Sequence, residues 1–261
     1  SVFVNEPDEL SLSQFTVQNV LCYDSANGEI TANPLGGTPP YSYLWSNGQL
    51  TQTAINLIPA PYNVVVTDSM GCEVSSANQI ITQPDSLAID SFIITDVSCF
   101  EGVDGSANVF VSGGTQSYTY LWSSGTNIGL SAGSYTSTIT DANGCVTSST
   151  FNIDEPNAIF VQFLRDSVTC LGGNDGIAVA IVTGGTGTHH LLWDNGSTLN
   201  SDSTFSAGYH SLTITDDNGC YFVDSIEILE PSQSVEIDSL IISEISCHNA
   251  DNASITVIAN G

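Results

Sequence analysis

Tyr135-Thr136-Ser137-Thr138-Ile139-Thr140-Asp141-Ala142-Asn143-Gly144-Cys145 alternates strand-favouring residues and then breaks on Asn-Gly just before a cysteine. Period-two alternation predicts a half-buried strand, and Asn-Gly supplies the left-handed positions that a tight hairpin turn needs. The ending recurs as Thr67-Asp68-Ser69-Met70-Gly71-Cys72 and Thr215-Asp216-Asp217-Asn218-Gly219-Cys220. Self-similarity at a fixed period marks an array of like modules, so the repeat is read before any single residue.

Working outward, Gly-Gly-Thr stands at 36–38, 113–115 and 184–186, and a tryptophan follows each at Trp45, Trp122 and Trp193. A tyrosine comes later, at Tyr62, Tyr135 and Tyr209, and each unit closes on Pro84, Pro156 or Pro231. A second class of cysteine, Cys22, Cys99, Cys170 and Cys247, precedes Asn27, Asp104, Asp175 or Asn252 by five residues. Val4-Asn5-Glu6-Pro7 repeats the closing signature. The expected organisation is the end of a preceding repeat (1–7), repeats at 8–84, 85–156 and 157–231, and the start of a truncated repeat at 232–261. Both ends read as cuts through a longer array. Tyr62–Thr67, Ser106–Val111 and Tyr118–Trp122 also alternate, and no stretch has helical periodicity. Short strands with turn signals every 8–12 residues predict an all-β chain of tandem immunoglobulin-like β-sandwiches, each seven-stranded, with one disulfide per repeat. Linkers of a proline and a few residues predict an extended rod.

The 261 residues carry 28 Asp+Glu and one basic side chain, Arg165, for a formal net charge of −27. That sign repels phosphate backbones and anionic lipid, so neither nucleic acid nor a membrane surface is an expected partner. Hydrophobic residues at 41% separate the chain from acidic disordered tails. No apolar run approaches the ~18 residues of a spanning helix.

Seven cysteines, with Cys247 lacking a later partner, predict bridges Cys22–Cys72, Cys99–Cys145 and Cys170–Cys220. Such a bridge would tie the loop before the second strand to the start of the last strand. Each loop of 46–50 residues would contribute about 4 kcal/mol through chain entropy. Zinc is the rival reading, but the sequence has no Cys-x-x-Cys pair and four histidines. Disulfides imply an oxidising compartment outside the cytoplasm. Trp45, Trp122, Trp193, Tyr62, Tyr135 and Tyr209 are expected in the cores, where large rings bury the most area.

Together these residues resemble the SprB-type repeat of Bacteroidetes gliding-motility cell-surface adhesins. Gly36–Trp45, Gly113–Trp122 and Gly184–Trp193 carry the first half of the match; Gly133-Ser134-Tyr135, Gly208-Tyr209 and the three Thr-Asp-x-x-Gly-Cys strings carry the second. The third repeat departs at Gly187-Thr188-His189-His190-Leu191, and the first has Pro59-Ala60-Pro61-Tyr62 in place of Ala-Gly-x-Tyr. The resemblance implies type IX secretion, display on the outer-membrane surface, contact with gliding and secretion machinery, and a filament built from such repeats.

No catalytic constellation recurs: His189, His190, His210 and His248 do not repeat from unit to unit, so no enzymatic activity and no cofactor are expected. Asp141, Asn143, Asp216 and Asn218 could begin a weak calcium loop. Their simpler role is to cap turn amides. Eight Asp-Ser pairs place serines at Ser25, Ser69, Ser86, Ser91, Ser167, Ser203, Ser225 and Ser239. They resemble the acceptor of the Bacteroidetes O-glycosylation system and are glycan candidates. The expected function is a load-bearing stalk segment of an adhesin filament. Rival readings are a polysaccharide-binding module gripping through Tyr41, Tyr43, Tyr118 and Tyr120, or a passive spacer in a secreted enzyme.

Overall fold

The computed structural model describes residues 6–260, so most of the expected 1–7 segment, including Val4 and Asn5, lies outside the described residues, as does Gly261. Every regular element among the described residues is a strand. The first repeat contains β1 (Ser11–Gln18), β2 (Gly28–Leu35), β3 (Ser42–Trp45), β4 (Thr53–Leu57), β5 (Pro61–Tyr62), β6 (Val64–Thr67), β7 (Glu73–Ser75) and β8 (Gln79–Ile80). The second contains β9 (Ala88–Thr95), β10 (Gly105–Ser112), β11 (Thr119–Trp122), β12 (Ile128–Leu130), β13 (Gly133–Thr140) and β14 (Val146–Ile153). The third contains β15 (Phe160–Asp166), β16 (Gly176–Thr183), β17 (His190–Trp193), β18 (Ser201–Phe205), β19 (Gly208–Thr215) and β20 (Tyr221–Ile228). A hairpin of β21 (Glu236–Ser243) and β22 (Ser254–Asn260) ends the described chain.

Each full repeat folds as two antiparallel sheets: β1-β2-β4 with β3-β6-β7, β12-β10-β9 with β11-β13-β14, and β15-β16-β18 with β17-β19-β20. In immunoglobulin lettering this is A-B-E against C-F-G, so the sandwich is immunoglobulin-like by strand order. The expected seventh strand, D, is missing. An irregular crossing, residues 46–52 in the first repeat, carries the chain from C back to the start of E instead. Cys72 to Pro84 is one residue longer than Cys145 to Pro156, and Pro61 cannot donate to a ladder. The last two strands of the first repeat are accordingly broken into β6-β7 and the short β5-β8 pair.

The chain forms two compact units, one running through Thr95 and resuming at Gly105–Ile153, the other built from Asp96–Asp104 and Asp154 onward. Inside the first, Ile30, Ala32, Trp45, Val64, Val66 and Ile81 pack between the sheets of the first sandwich. Inside the second, Val161, Ala178, Trp193, Phe205, Leu212 and Ile214 do the same. Alternation along β2 and β6 puts these side chains on one face, and a fully buried Val, Leu or Ile contributes about 1.5–3 kcal/mol.

Trp45 and Trp193 are 1% exposed, and Tyr62 is buried with them. Trp122 and Tyr135 are half-buried, which falls short of the expectation. The cause for Trp122 is loop length. From Trp45 to Tyr62 and from Trp193 to His210 the chain spends 17 residues, but only 13 from Trp122 to Tyr135. In the longer crossings a backbone carbonyl six residues on, Thr51 or Leu199, accepts the indole N–H at 2.8 and 3.0 Å. The second repeat lacks that covering loop. Tyr209 is not in the core at all, at 72% exposed. It pairs with Glu227, whereas the inward position of the ladder falls one residue later on His210, and a one-residue step reverses the face.

Candidate functional site

Two loops at opposite ends of each sandwich carry the recurring polar residues. The first joins strands A and B and holds Cys22, Cys99, Cys170 or Cys247. Its shape comes from the Asn or Asp five residues on: Asn27, Asp104, Asp175 and Asn252 each accept an amide six residues earlier, from Leu21, Ser98, Thr169 and Ser246, at 3.0–3.2 Å. Hydroxyls of Ser98 and Thr169 also donate to Asp104 and Asp175, and these hydroxyl and amide bonds hold both carboxyls below the usual range. The loop also needs a left-handed residue two after the cysteine, at Asp24, Glu101, Gly172 and Asn249. In the three complete repeats its amide donates to the closing Gln83, Glu155 or Glu230 side chain at 2.7–3.0 Å. The Glu/Gln-Pro signature thus clamps the cysteine loop.

The second loop, between F and G, is the Thr-Asp-x-x-Gly-Cys turn. One oxygen of Asp68, Asp141 or Asp216 accepts the amides two and four residues on, at 2.8–3.0 Å. The other accepts the amide of Thr38, Thr115 or Thr186 at 2.8 Å, so the aspartate ties the turn to Gly-Gly-Thr. Amide bonds from Cys72 and Thr38 hold the Asp68 carboxyl below its ordinary value. Burial, which would raise Asp141 and Asp216, is the largest single influence there. The combined amides outweigh it, and both carboxyls are held low. The Gly-Gly pair is required because a Cβ on Gly113 would sit 1.9 Å from the Ser86 carbonyl, at a φ of 70°.

These two loops meet across successive repeats. Cys22 bonds Cys145 and Cys99 bonds Cys220, with Cα separations of 5.7 and 5.6 Å. The expected pairs Cys22–Cys72, Cys99–Cys145 and Cys170–Cys220 do not form; Cys72, Cys170 and Cys247 are unbonded and exposed. The reason is strand direction. The A–B loop lies at one end of a sandwich and the F–G turn at the other. The eight residues of β2 separate them by about 25 Å, against the ~7 Å limit between bridged Cα atoms. The next repeat, entered directly after the closing proline, brings its own F–G turn to the waiting loop. Asn143 and Asn218 fix the register, their amides donating to the Leu21 and Ser98 carbonyls at 2.9 Å.

The third repeat uses histidines where the others use tyrosine. The Tyr41 and Tyr118 hydroxyls donate to the Gly36 and Gly113 carbonyls at 2.6 Å, and His189 Nε2 lies 2.8 Å from the Gly184 carbonyl. Likewise the Tyr62 and Tyr135 hydroxyls donate to Ile58 and Ser131 carbonyls, while His210 Nε2 lies 2.9 Å from that of Ser206. Equal spacing from Gly36, Gly113 and Gly184 could have revealed His189 as the counterpart of Tyr41.

Asp141 and Asp216 have their oxygens engaged by amides, and no cluster of three metal-ligating side chains occurs among the described residues. Ser69, Ser86, Ser91, Ser167, Ser203, Ser225 and Ser239 are exposed, whereas Ser25 is half-buried with its hydroxyl on the Cys22 carbonyl. Tyr41, Tyr43 and Tyr118 are half-buried, and Tyr120 is exposed.

None of the curated proteins matches the chain. Among solved structures it is similar to extracellular domains 3–5 of Drosophila OTK, at 12% identity and a TM-score of 0.29, covering 87% of this chain and 99% of that one. It is also similar to the N-terminal four Ig domains of Dscam1 isoform 9.44, at 10% identity and a TM-score of 0.26, covering 84% of this chain and 72% of that one. At such scores the fold assignment rests on strand order alone. The SprB repeat model matches residues 14–50, 91–127 and 166–198, which run from the first strand of each repeat to its tryptophan hairpin or just beyond. The chain thus matches the SprB repeat three times, once in each complete repeat.

Proposed function

We propose that this chain is a load-bearing stalk segment of a secreted cell-surface adhesin filament. The observation that carries the reading is the crossing of each bridge from one repeat into the next. A staple within a repeat protects only that repeat; one that spans a junction passes tension around the short linker. Two further features support the reading. Tyr41 and Tyr118, candidates for gripping a polysaccharide, spend their hydroxyls on backbone carbonyls. The net charge of −27 keeps neighbouring stalks apart. Export by type IX secretion, service to gliding, and glycans on the Asp-Ser serines belong to the same proposal, as does contact with extracellular polysaccharide only at sites beyond these repeats.

Pulling the oxidised chain by its ends tests this. Between Cys22 and Cys220 the shortest covalent route runs through both bridges and the 46 residues from Cys99 to Cys145, about 160 Å when taut. The reduced chain offers 198 residues there, roughly 690 Å. Extension of the oxidised chain is expected to stop near the smaller value. Extension to the larger one, or binding of the purified segment to extracellular polysaccharide, overturns the stalk reading.

A further inference from the structure

The face of the first sandwich that carries Cys72 is built as the occupied junctions are. The cleft beside Cys220 is lined by Ile159, Gly185 and Asp216, together with Cys99 and Phe100 of the docked loop. A cleft of about 500 Å³ beside Cys72 is lined at the matching positions by Leu10, Gly37 and Asp68, and no loop among the described residues fills it. The supporting bonds are the same. The Gly37 amide donates to the Asp8 carbonyl at 2.7 Å as Gly185 does to Asn157 at 2.8 Å, and Asp68 holds Thr38 as Asp216 holds Thr186. A second feature points to the same occupant. Glu6 and Pro7 line this cleft, and Glu-Pro is the signature whose carboxylate clamps the cysteine loop of the repeat that it closes.

We propose that this face is the acceptor for a first-class cysteine loop, of the Cys-x4-(Asn/Asp)-Gly kind, from a repeat carried by sequence directly ahead of Glu6. Cys72 joins that loop's cysteine in a disulfide of the same series as Cys22–Cys145 and Cys99–Cys220. Two thiols give up two protons and two electrons, and a disulfide oxidant of the secretory compartment takes them up as it is reduced to two thiols. The junction differs from the others in one respect. Met70, largely exposed, stands where Asn143 and Asn218 give an amide hydrogen bond to the loop, so here the loop is held by apolar contact with the thioether instead.

The test is peptide mapping, without reduction, of the full natural protein after its free thiols are blocked. The expected result is the Cys72 peptide bonded to a peptide from ahead of Glu6 that contains Cys-x4-(Asn/Asp)-Gly. Cys72 found blocked as a free thiol, capped by glutathione, or bonded to Cys22 overturns the proposal. So does a bond to another Thr-Asp-x-x-Gly-Cys cysteine. A bond to Cys170 or Cys247 of a second copy overturns the tandem source. This outcome is independent of whether the segment bears load.

Discussion

Asp141 Oδ2 accepts the Thr115 amide at 2.8 Å while Oδ1 accepts those of Asn143 and Cys145, so one side chain joins the two most repeated strings of the sequence. The residue is 5% exposed. Asp141→Ala strands three amides near the Cys145 bridge, and a buried donor without a partner costs about 1–3 kcal/mol. Denaturant unfolding followed through Trp122 is expected to show a loss of about 2 kcal/mol or more, against a near-neutral Asp166→Ala on an exposed position.

The pH dependence follows from the same carboxyls. Asp68, Asp141 and Asp216 have folded-state values below the ordinary one, so the unfolded chain binds more protons as pH falls. Their stabilisation is complete above about pH 5 and is lost progressively as acid reaches the lowered folded values. Relief of the −27 charge acts in the opposite direction. Thermal unfolding of Asp141→Asn and Asp216→Asn is therefore expected to approach that of the parent chain as pH drops below about 4.

Trp122 is the half-buried indole of the three. Variants that keep one tryptophan each are expected to emit at shorter wavelength for Trp45 and Trp193 than for Trp122. Trp45→Ala, which empties a packed core, is expected to cost about 3–5 kcal/mol and Trp122→Ala less. Matched emission maxima for all three would contradict the short-crossing explanation.

Tyr209 and His210 separate the two faces of β19. Tyr209→Ala is expected to change stability by no more than about 0.5 kcal/mol. His210→Ala removes a ring 4.7 Å from Phe205 and a hydrogen bond to Ser206, and is expected to cost about 2 kcal/mol. His210→Tyr, which restores the residue found at Tyr62 and Tyr135, is expected to be tolerated. Urea midpoints of the three variants decide this.

Strands, turns and repeat period were legible because each rests on local chemistry: Thr136 to Thr140 alternate, and Asn143-Gly144 turns. The Tyr209 position and the disulfide pairing depend on geometry that residue identity does not carry. Tyr209 matched the tyrosine of Ala-Gly-x-Tyr by identity, but the inward position is set by counting from Gly208, and it falls on His210. Nearness in sequence does not settle the cysteine pairing, since in a periodic chain spacing alone cannot distinguish a bridge within a repeat from one to the next. The expected strand count already held the answer: five crossings separate the A–B loop from the F–G turn and leave them at opposite ends. The expected D strand was absent, but its crossing remained, so the ends stayed opposed.

Arg165 is the sole Lys or Arg in the chain, so trypsin can cut at one place and yields residues 1–165 and 166–261. Digestion in denaturant, with free thiols blocked first, followed by a denaturing gel without reductant, tests the inter-repeat pairing directly. The Cys99–Cys220 bridge predicts that both pieces stay joined and separate only when reductant is added. Separation into 165- and 96-residue fragments without reductant would contradict it, because bridges confined within repeats leave nothing covalent across the cut.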